Sequence, residues 1–289
     1  MGLIETDETN LYTFEAFASH KFYTEVNREL VKQALAHFAN RPVEAPLTIV
    51  DMACGTGAVT CLIAEELAQQ GRTPYVRLIG VDPSAEALRL AQKNVDGLGL
   101  SVKADFIQGE SEDLPRLVHD ADAAFFCNAI HLVPDKSEAF KQVVSILAPG
   151  GIFACNSSFY EGAYVPGTER FYRLWTRRAV GWLRQEHPEA HLSRDAKAMA
   201  MQWLTRDDYV QKMKENGFKD VETQESHTSI SLDAWQDIGH YWLFIEGALP
   251  GVPLAYGAEA LQTTVHKVGE ELDLPSVPRT WLHMVAIKG

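Results

Sequence analysis

Cysteine is scarce in this chain, with four in 289 residues: Cys54, Cys61, Cys127 and Cys155. No two form a CxxC pair and none sits with histidine at zinc spacing, so neither a disulfide framework nor a bound metal is expected. Positive charge is also short, with 26 Lys and Arg against 39 Asp and Glu and a net charge of −13. A partner held through nucleic-acid phosphates needs the opposite balance, so no nucleic acid is expected. No apolar run reaches the ~18 uncharged residues of a membrane span. The opening segment Met1-Gly2-Leu3-Ile4-Glu5-Thr6-Asp7-Glu8 is acidic where a signal peptide would carry an apolar stretch. Internal repeats and low-complexity segments are missing too. The expectation is a reduced, cytoplasmic protein with no membrane partner.

What the chain does have is core-forming material, 46% of its residues being hydrophobic. Between 47 and 157, apolar strand-like runs alternate with amphipathic helical stretches. The runs are 47–52, 76–82, 102–108, 122–127 and 151–156; the helices fall near 58–70, 84–96 and 135–147. Such alternation predicts an α/β fold, a doubly wound, mostly parallel sheet with helices on both faces. Ligands of these sheets bind beyond the carboxyl ends of the strands. Asp51, Asp82, Glu110 and Asn128 fall at or just past four such ends.

The most informative stretch is Ile49-Val50-Asp51-Met52-Ala53-Cys54-Gly55-Thr56-Gly57, an apolar strand that runs into an acid and a glycine turn before a helix. Glycine admits positive φ and lets a ligand approach where a Cβ would stand in the way. Asp82, which ends the second strand, can accept from both hydroxyls of a ribose, or can cap a helix that has Pro83 at its first position. Glu110 and Ser111 follow the third strand, as an adenine contact or as a solvated acidic loop. His131, in Asn128-Ala129-Ile130-His131, is a general-base candidate or a structural histidine. Ala148-Pro149-Gly150-Gly151 reads as a turn between helix and strand.

Taken together, the acid-x-Gly-x-Gly-x-Gly-like loop from Asp51 to Gly57, the acid at Asp82, the Gly109-to-Pro115 run and the Leu147-to-Gly151 turn resemble the Rossmann-like (class I) S-adenosylmethionine-dependent methyltransferases, small-molecule branch. The resemblance covers 45–157 well, and 205–230 plus the last strand more loosely. Two positions depart from it: Ala53 stands for the first loop glycine and Glu110 for an aspartate. It implies a seven-stranded sheet of order 3-2-1-4-5-7-6 with the seventh strand antiparallel, strands six and seven being 220–230 and 281–288. It implies S-adenosylmethionine as cofactor, with Asp51, Ala53, Cys54, Gly55 and Gly57 in the loop. Asp82 with Pro83 would take the ribose, Glu110 and Ser111 the adenine, Asn128 (by its carbonyl) the methionine end, and Tyr23 a further contact.

Around this core the expected organisation is a helical lid at 1–40, the cofactor-binding core at 41–157 and a helical lid insertion at 158–204. The C-terminal part, 205–289, would complete the sheet and carry a helical insertion at 232–272. The lid segments hold most of the aromatic residues, which pack the lid or line a pocket for a small apolar or aromatic metabolite. Base candidates are His131 and His240, with His20 and His227 behind them. Arg170, Arg173, Arg177 and Arg178 read as a carboxylate site or as a solvated helix face. The expected reaction is methyl transfer to O, N or C of that metabolite, by a monomer or homodimer, in a secondary pathway. Two other readings stay open. One is a non-methylating enzyme or binding protein that keeps the cofactor fold. The other is a nucleotide-cofactor oxidoreductase, against which stands Thr60, where Gly-x-Gly-x-x-Gly needs its third glycine.

Overall fold

A computed structural model describes residues 11–110, 113–193 and 203–289. It divides into two compact units. The larger comprises Thr24–Glu161, Leu204–Ser226 and Trp281–Gly289; the smaller comprises the chain up to Tyr23 with Gly162–Trp203 and His227–Thr280.

The elements of the sheet alternate along the chain as the hydrophobic pattern predicts. Strands β1 (Leu47–Met52), β2 (Val76–Asp82), β3 (Lys103–Gln108), β4 (Ala121–Cys127) and β5 (Leu147–Ser157) are interleaved with helices. In chain order, α1 (Glu15–Ala18) and α2 (Lys21–Ala36) precede β1. Then come α3 (Ala58–Gln69), α4 (Ala85–Gly97), the short α5 (Leu114–Leu117) and α6 (Lys136–Ile146). Nearly every residue of β1, β2 and β4 is buried, as expected of parallel strands covered on both faces. β6 (Phe218–Ser231) and β7 (Ser276–Lys288) complete a seven-stranded sheet of order β3-β2-β1-β4-β5-β7-β6. β1 to β5 pair in parallel and β7 runs antiparallel to β5, from Ile152 opposite Ile287 to Ser157 opposite Leu282. This is the order that the resemblance implied.

Two local expectations are revised. Ala148–Gly151 is not a turn ahead of the strand. It bulges within β5, where pairing jumps from Ala121–Leu147 to Ala123–Ile152, and Gly150 at φ +74° makes the excursion possible. The first segment, expected as a lid to residue 40, is core in its second half. Leu30, Val31, Ala34, Leu35 and Phe38 join the cluster formed by Leu47, Ile49, Leu62 and Phe125. The expected Thr205 cap of α8 (Arg206–Glu215) is a full capping box, since Thr205 Oγ1 accepts from Asp208 N at 3.0 Å while Asp208 Oδ2 accepts from Thr205 N at 3.0 Å.

The smaller unit is helical and aromatic. α7 (Glu169–Glu186) buries Phe171, Trp175, Ala179 and Leu183, one face at helical spacing. α9 (Leu232–Ile238), α10 (Trp242–Ala248) and α11 (Leu254–Leu272) accompany it. Trp175 and Trp235 donate their ring N–H groups to the carbonyls of Leu261 and Val277 at 2.9 and 3.2 Å. Arg279, itself buried, lies against the rings of Tyr164, Tyr172, Trp203 and Trp235 at 4.9–6.0 Å. Arg170, Arg173, Arg177 and Arg178 lie on the exposed face of α7, with Arg178 paired to Glu271 at 2.6 Å, so the solvated-face reading holds for them.

Candidate cofactor site

The loop between β1 and α3 is built from residues in the left-handed region: Ala53 at φ +51°, Gly55 at +52° and Gly57 at +82°. Ala53 thus keeps the conformation for which a glycine is the usual choice. Gly57 N–H closes the turn on the Cys54 carbonyl at 2.9 Å, and Cys54 N–H reaches the Val81 carbonyl at 3.1 Å. The two glycines differ in surroundings. A Cβ on Gly55 would meet nothing within 4 Å, whereas one on Gly57 would stand 2.9 Å from Ala91 Cβ in α4. Gly55 leaves open space over the loop, and Gly57 lets α3 start against α4.

Asp82 fastens this loop. Its Oδ2 accepts from Gly55 N at 2.8 Å and its Oδ1 from Ser84 N at 3.0 Å. Each oxygen keeps a lone pair, and burial pushes the carboxyl pKa up beyond what these two backbone bonds offset. Such a carboxylate calls for further donors, and a vicinal diol supplies two. The helix-cap alternative for Asp82 is corrected by the structure. Ser84 is the N-cap of α4, accepting from Ala87 N at 3.2 Å, and Pro83 lies ahead of the helix with its carbonyl taken by Gln108 Nε2 at 2.9 Å.

Asp51 is buried at the end of β1, and its carboxyl pKa rises to about 7. Burial is the main cause, the nearby Asp82 adds to it, and the Thr60 hydroxyl, donating to Asp51 Oδ2 at 2.5 Å, works against it. Burial likewise raises the Cys54 thiol, which is therefore an inert neighbour of the loop. Glu110, past β3, is exposed, and its backbone N–H donates to Asp113 Oδ2 at 3.2 Å. Ser111 lies outside the described residues.

Asn128 follows β4 in the left-handed region, at φ +54°. Its side-chain amide is held by Asn27 and Trp281, at 2.9 Å each. His131 is buried in the single helical turn Ile130–Leu132. Its Nδ1 lies 3.0 Å from Ser157 Oγ, which also accepts from Phe159 N at 2.9 Å, and its ring stacks on Phe159 at 4.4 Å.

Asp51, the loop, Asp82, Glu110, Asn128 and His131 all belong to the larger unit, at the carboxyl ends of β1 to β4. Tyr23 and His240 belong to the smaller one. Tyr23 is buried edge-on to Phe14 at 5.5 Å, and His240 Nε2 lies 3.1 Å from the Leu11 carbonyl with its ring 4.9 Å from Tyr12. Sequence reading passed over Thr60 as a partner of Asp51, Asn94, whose Nδ2 donates to the Thr56 carbonyl at 2.9 Å, and the pair Asn27 and Asn156. The available signal was a polar residue at the end of an apolar strand: Asn156 directly follows the run Ile152-Phe153-Ala154-Cys155. Among the described residues, no group of three His, Cys, Asp or Glu could hold a metal ion, and no helix is long and apolar enough to cross a membrane.

Comparison with known proteins decides which family this loop serves. The model of a methyltransferase domain family matches residues 44–242. The chain belongs to that family. The methyltransferase domain is 27% identical over 154 residues to the ubiquinone/menaquinone biosynthesis C-methyltransferase UbiE of Bartonella tribocorum, covering 53% of this chain and 56% of that one. It is 26% identical over 220 residues to the erythromycin 3''-O-methyltransferase of Saccharopolyspora erythraea, covering 76% and 63%. The matches thus span less than two thirds of the length of these curated relatives. In fold the domain is similar to a methyltransferase of Geobacter sulfurreducens solved with S-adenosyl-L-homocysteine, with a TM-score of 0.54, 17% identity, and 96% and 97% of the two chains covered.

Proposed function

We propose that this methyltransferase domain transfers the methyl group of S-adenosylmethionine to oxygen, nitrogen or carbon of a small apolar or aromatic metabolite. The observation that carries this reading is the Asp51–Gly57 loop, fastened by Asp82 and open above Gly55. The cofactor supplies a methyl group already activated on a sulfonium, so the protein's tasks are binding, alignment and, where the acceptor needs it, proton removal. Asp82 holds the ribose hydroxyls through its two remaining lone pairs. Asp51, kept by Thr60, receives the amino end of the methionine part together with the Asn128 carbonyl. Gly55 admits the cofactor at backbone distance. Glu110 and Ser111 take the adenine end, and Pro83 is a further contact.

His131 is the base we favour. Ser157 Oγ has two lone pairs; with one taken by the Phe159 N–H, the other can take His131 Nδ1–H, and in that tautomer the basic lone pair is on Nε2. His240, whose Nε2 lies at the Leu11 carbonyl, would need its Nδ1 for the same task and is the second choice. Metabolite relatives and an acidic chain support a cytoplasmic role in a secondary pathway. The oxidoreductase alternative meets a specific obstacle, because position 60 is not a glycine but the hydroxyl partner of Asp51.

The test is a turnover screen with labelled S-adenosylmethionine against phenols, amines, enolisable ketones and carboxylic acids, following S-adenosylhomocysteine and the labelled product. Label in a phenol, amine or ketone supports the reading. Label found only in added protein or RNA would overturn the small-molecule acceptor.

A further inference from the structure

Two buried asparagines and a half-buried one, Asn128, close a ring around the end of β4. Asn27 lies in α2 and Asn156 in β5, and neither has any solvent exposure. Asn27 Oδ1 accepts from Asn128 Nδ2 at 2.9 Å and from Asn156 Nδ2 at 3.0 Å. Asn156 in turn takes the Asn128 backbone N–H twice, on its carbonyl at 3.1 Å and on its side-chain Oδ1 at 3.0 Å. Trp281 of β7 closes the outer side, donating Nε1–H to Asn128 Oδ1 at 2.9 Å. Four elements of the larger unit therefore meet on one residue, and that residue holds a left-handed backbone.

Neither α2 nor β5 gains from these amides locally. Asparagine lowers helix propensity relative to alanine, and a buried amide is costly unless its partners are in place. Of the bonds described, all but the one between Asn156 and Asn27 end on Asn128. Asparagine is among the few L-residues that enter the left-handed region readily, and these bonds hold Asn128 in that state and so fix which way its peptide faces.

We propose that Asn27 is a positioning residue for the cofactor: through its side-chain oxygen it holds Asn128 in the left-handed conformation that turns the Asn128 carbonyl to the methionine end. The proposal rests on the reading of Asn128 as a cofactor contact. It predicts that a residue of α2, acting only through Asn128, sets cofactor affinity.

The experiment uses the full chain and S-adenosylhomocysteine as probe. Asn27→Leu takes the shared acceptor away from the amide donors of Asn128 and Asn156. Trp281→Phe removes the Nε1 donor together with part of the indole and keeps an aromatic ring in place, and it serves if the first variant fails to fold. Leu30→Ala, in the same helix but in the apolar cluster, is the control for general loosening of α2. Calorimetric Kd should rise roughly 10–100-fold for Asn27→Leu and several-fold for Trp281→Phe. KM for S-adenosylmethionine should rise with kcat little changed. Leu30→Ala should lower Tm and leave Kd at the wild-type value.

Wild-type Kd in Asn27→Leu, or in Trp281→Phe should the first not fold, would overturn the proposal, as would an equal loss in Leu30→Ala. Asp82→Ala separates this failure from that of the site itself. If Asp82→Ala weakens binding while the ring variants do not, the cofactor site stands and the positioning role falls. If Asp82→Ala leaves binding intact, the site reading has failed first.

Discussion

Gly55 and Gly57 stand two residues apart in one turn, and substituting alanine at each should produce opposite defects. At Gly57, alanine carries the left-handed cost of ~1–2 kcal/mol at φ +82°. Its Cβ would also lie 2.9 Å from Ala91 Cβ and 3.0 Å from Ala91 Cα, both on a packed helix that must move. Overpacking of this kind adds ~1–3 kcal/mol. The sum, about 2–5 kcal/mol, is a large share of the ~5–15 kcal/mol net stability of a typical domain, and should lower Tm by roughly 5–15 °C. At Gly55, alanine at φ +52° incurs only the conformational cost, since its Cβ has no neighbour within 4 Å. Tm should fall by roughly 2–6 °C. The new methyl projects into the open space over the loop, where the cofactor is proposed to lie, and S-adenosylhomocysteine affinity should fall roughly 10–100-fold. Differential scanning calorimetry and isothermal titration on the two variants give both numbers. A Gly57→Ala protein of wild-type Tm, or a Gly55→Ala protein of wild-type affinity, would refute the division of labour.

Three further outcomes follow from the same loop and its surroundings. Ala53→Gly should be neutral or stabilising by about 1 kcal/mol in urea denaturation, because glycine at φ +51° removes the left-handed cost; a clear loss of stability would contradict the strain assigned there. Asp51, with a folded pKa of about 7 against 3.8 for the free group, gives stability that is complete below pH ~4 and lost as pH rises through ~7. Asp51→Asn should flatten the Tm-versus-pH curve across pH 5–8, and the wild type alone should bind S-adenosylhomocysteine more tightly as Asp51 ionises through that range. Parallel curves would remove Asp51 from both roles. His131→Gln should cut kcat by ~10²–10⁴-fold for an acceptor that must lose a proton, with cofactor Kd unchanged by titration; an unaltered kcat would leave the ring as a packing group held by Ser157 and Phe159.

The sheet was legible because its strands are buried on both faces and so appear as short, mostly apolar runs, Leu47–Met52 and Ala121–Cys127 among them. Asp51 and Asp82 stood out as acids that end such runs. The connections between these positions were less visible. Asn27 is 101 residues from Asn128 and 129 from Asn156, and no local period links an amide in a helix to amides at two strand ends. The packing role of Gly57 was hidden because the residue it accommodates, Ala91, is on another helix. Pro83 pointed to a helix start, but Ser84 with its own hydroxyl is the better cap and moved the boundary two residues on. The N-terminal segment was aromatic enough to suggest a lid throughout, yet Leu30 to Phe38 bury their apolar face in the sheet's own cluster.

The most direct measurement is calorimetric titration of the wild type and Asp82→Ala with S-adenosylmethionine, S-adenosylhomocysteine and NAD. A cofactor site on this loop predicts micromolar affinity for the two adenosyl ligands and none for NAD. The mutant should bind the adenosyl ligands ~10–100-fold more weakly, through loss of a charged hydrogen-bond acceptor. Binding of NAD with neither adenosyl ligand bound, or equal adenosyl affinity with and without the Asp82 carboxylate, would contradict it.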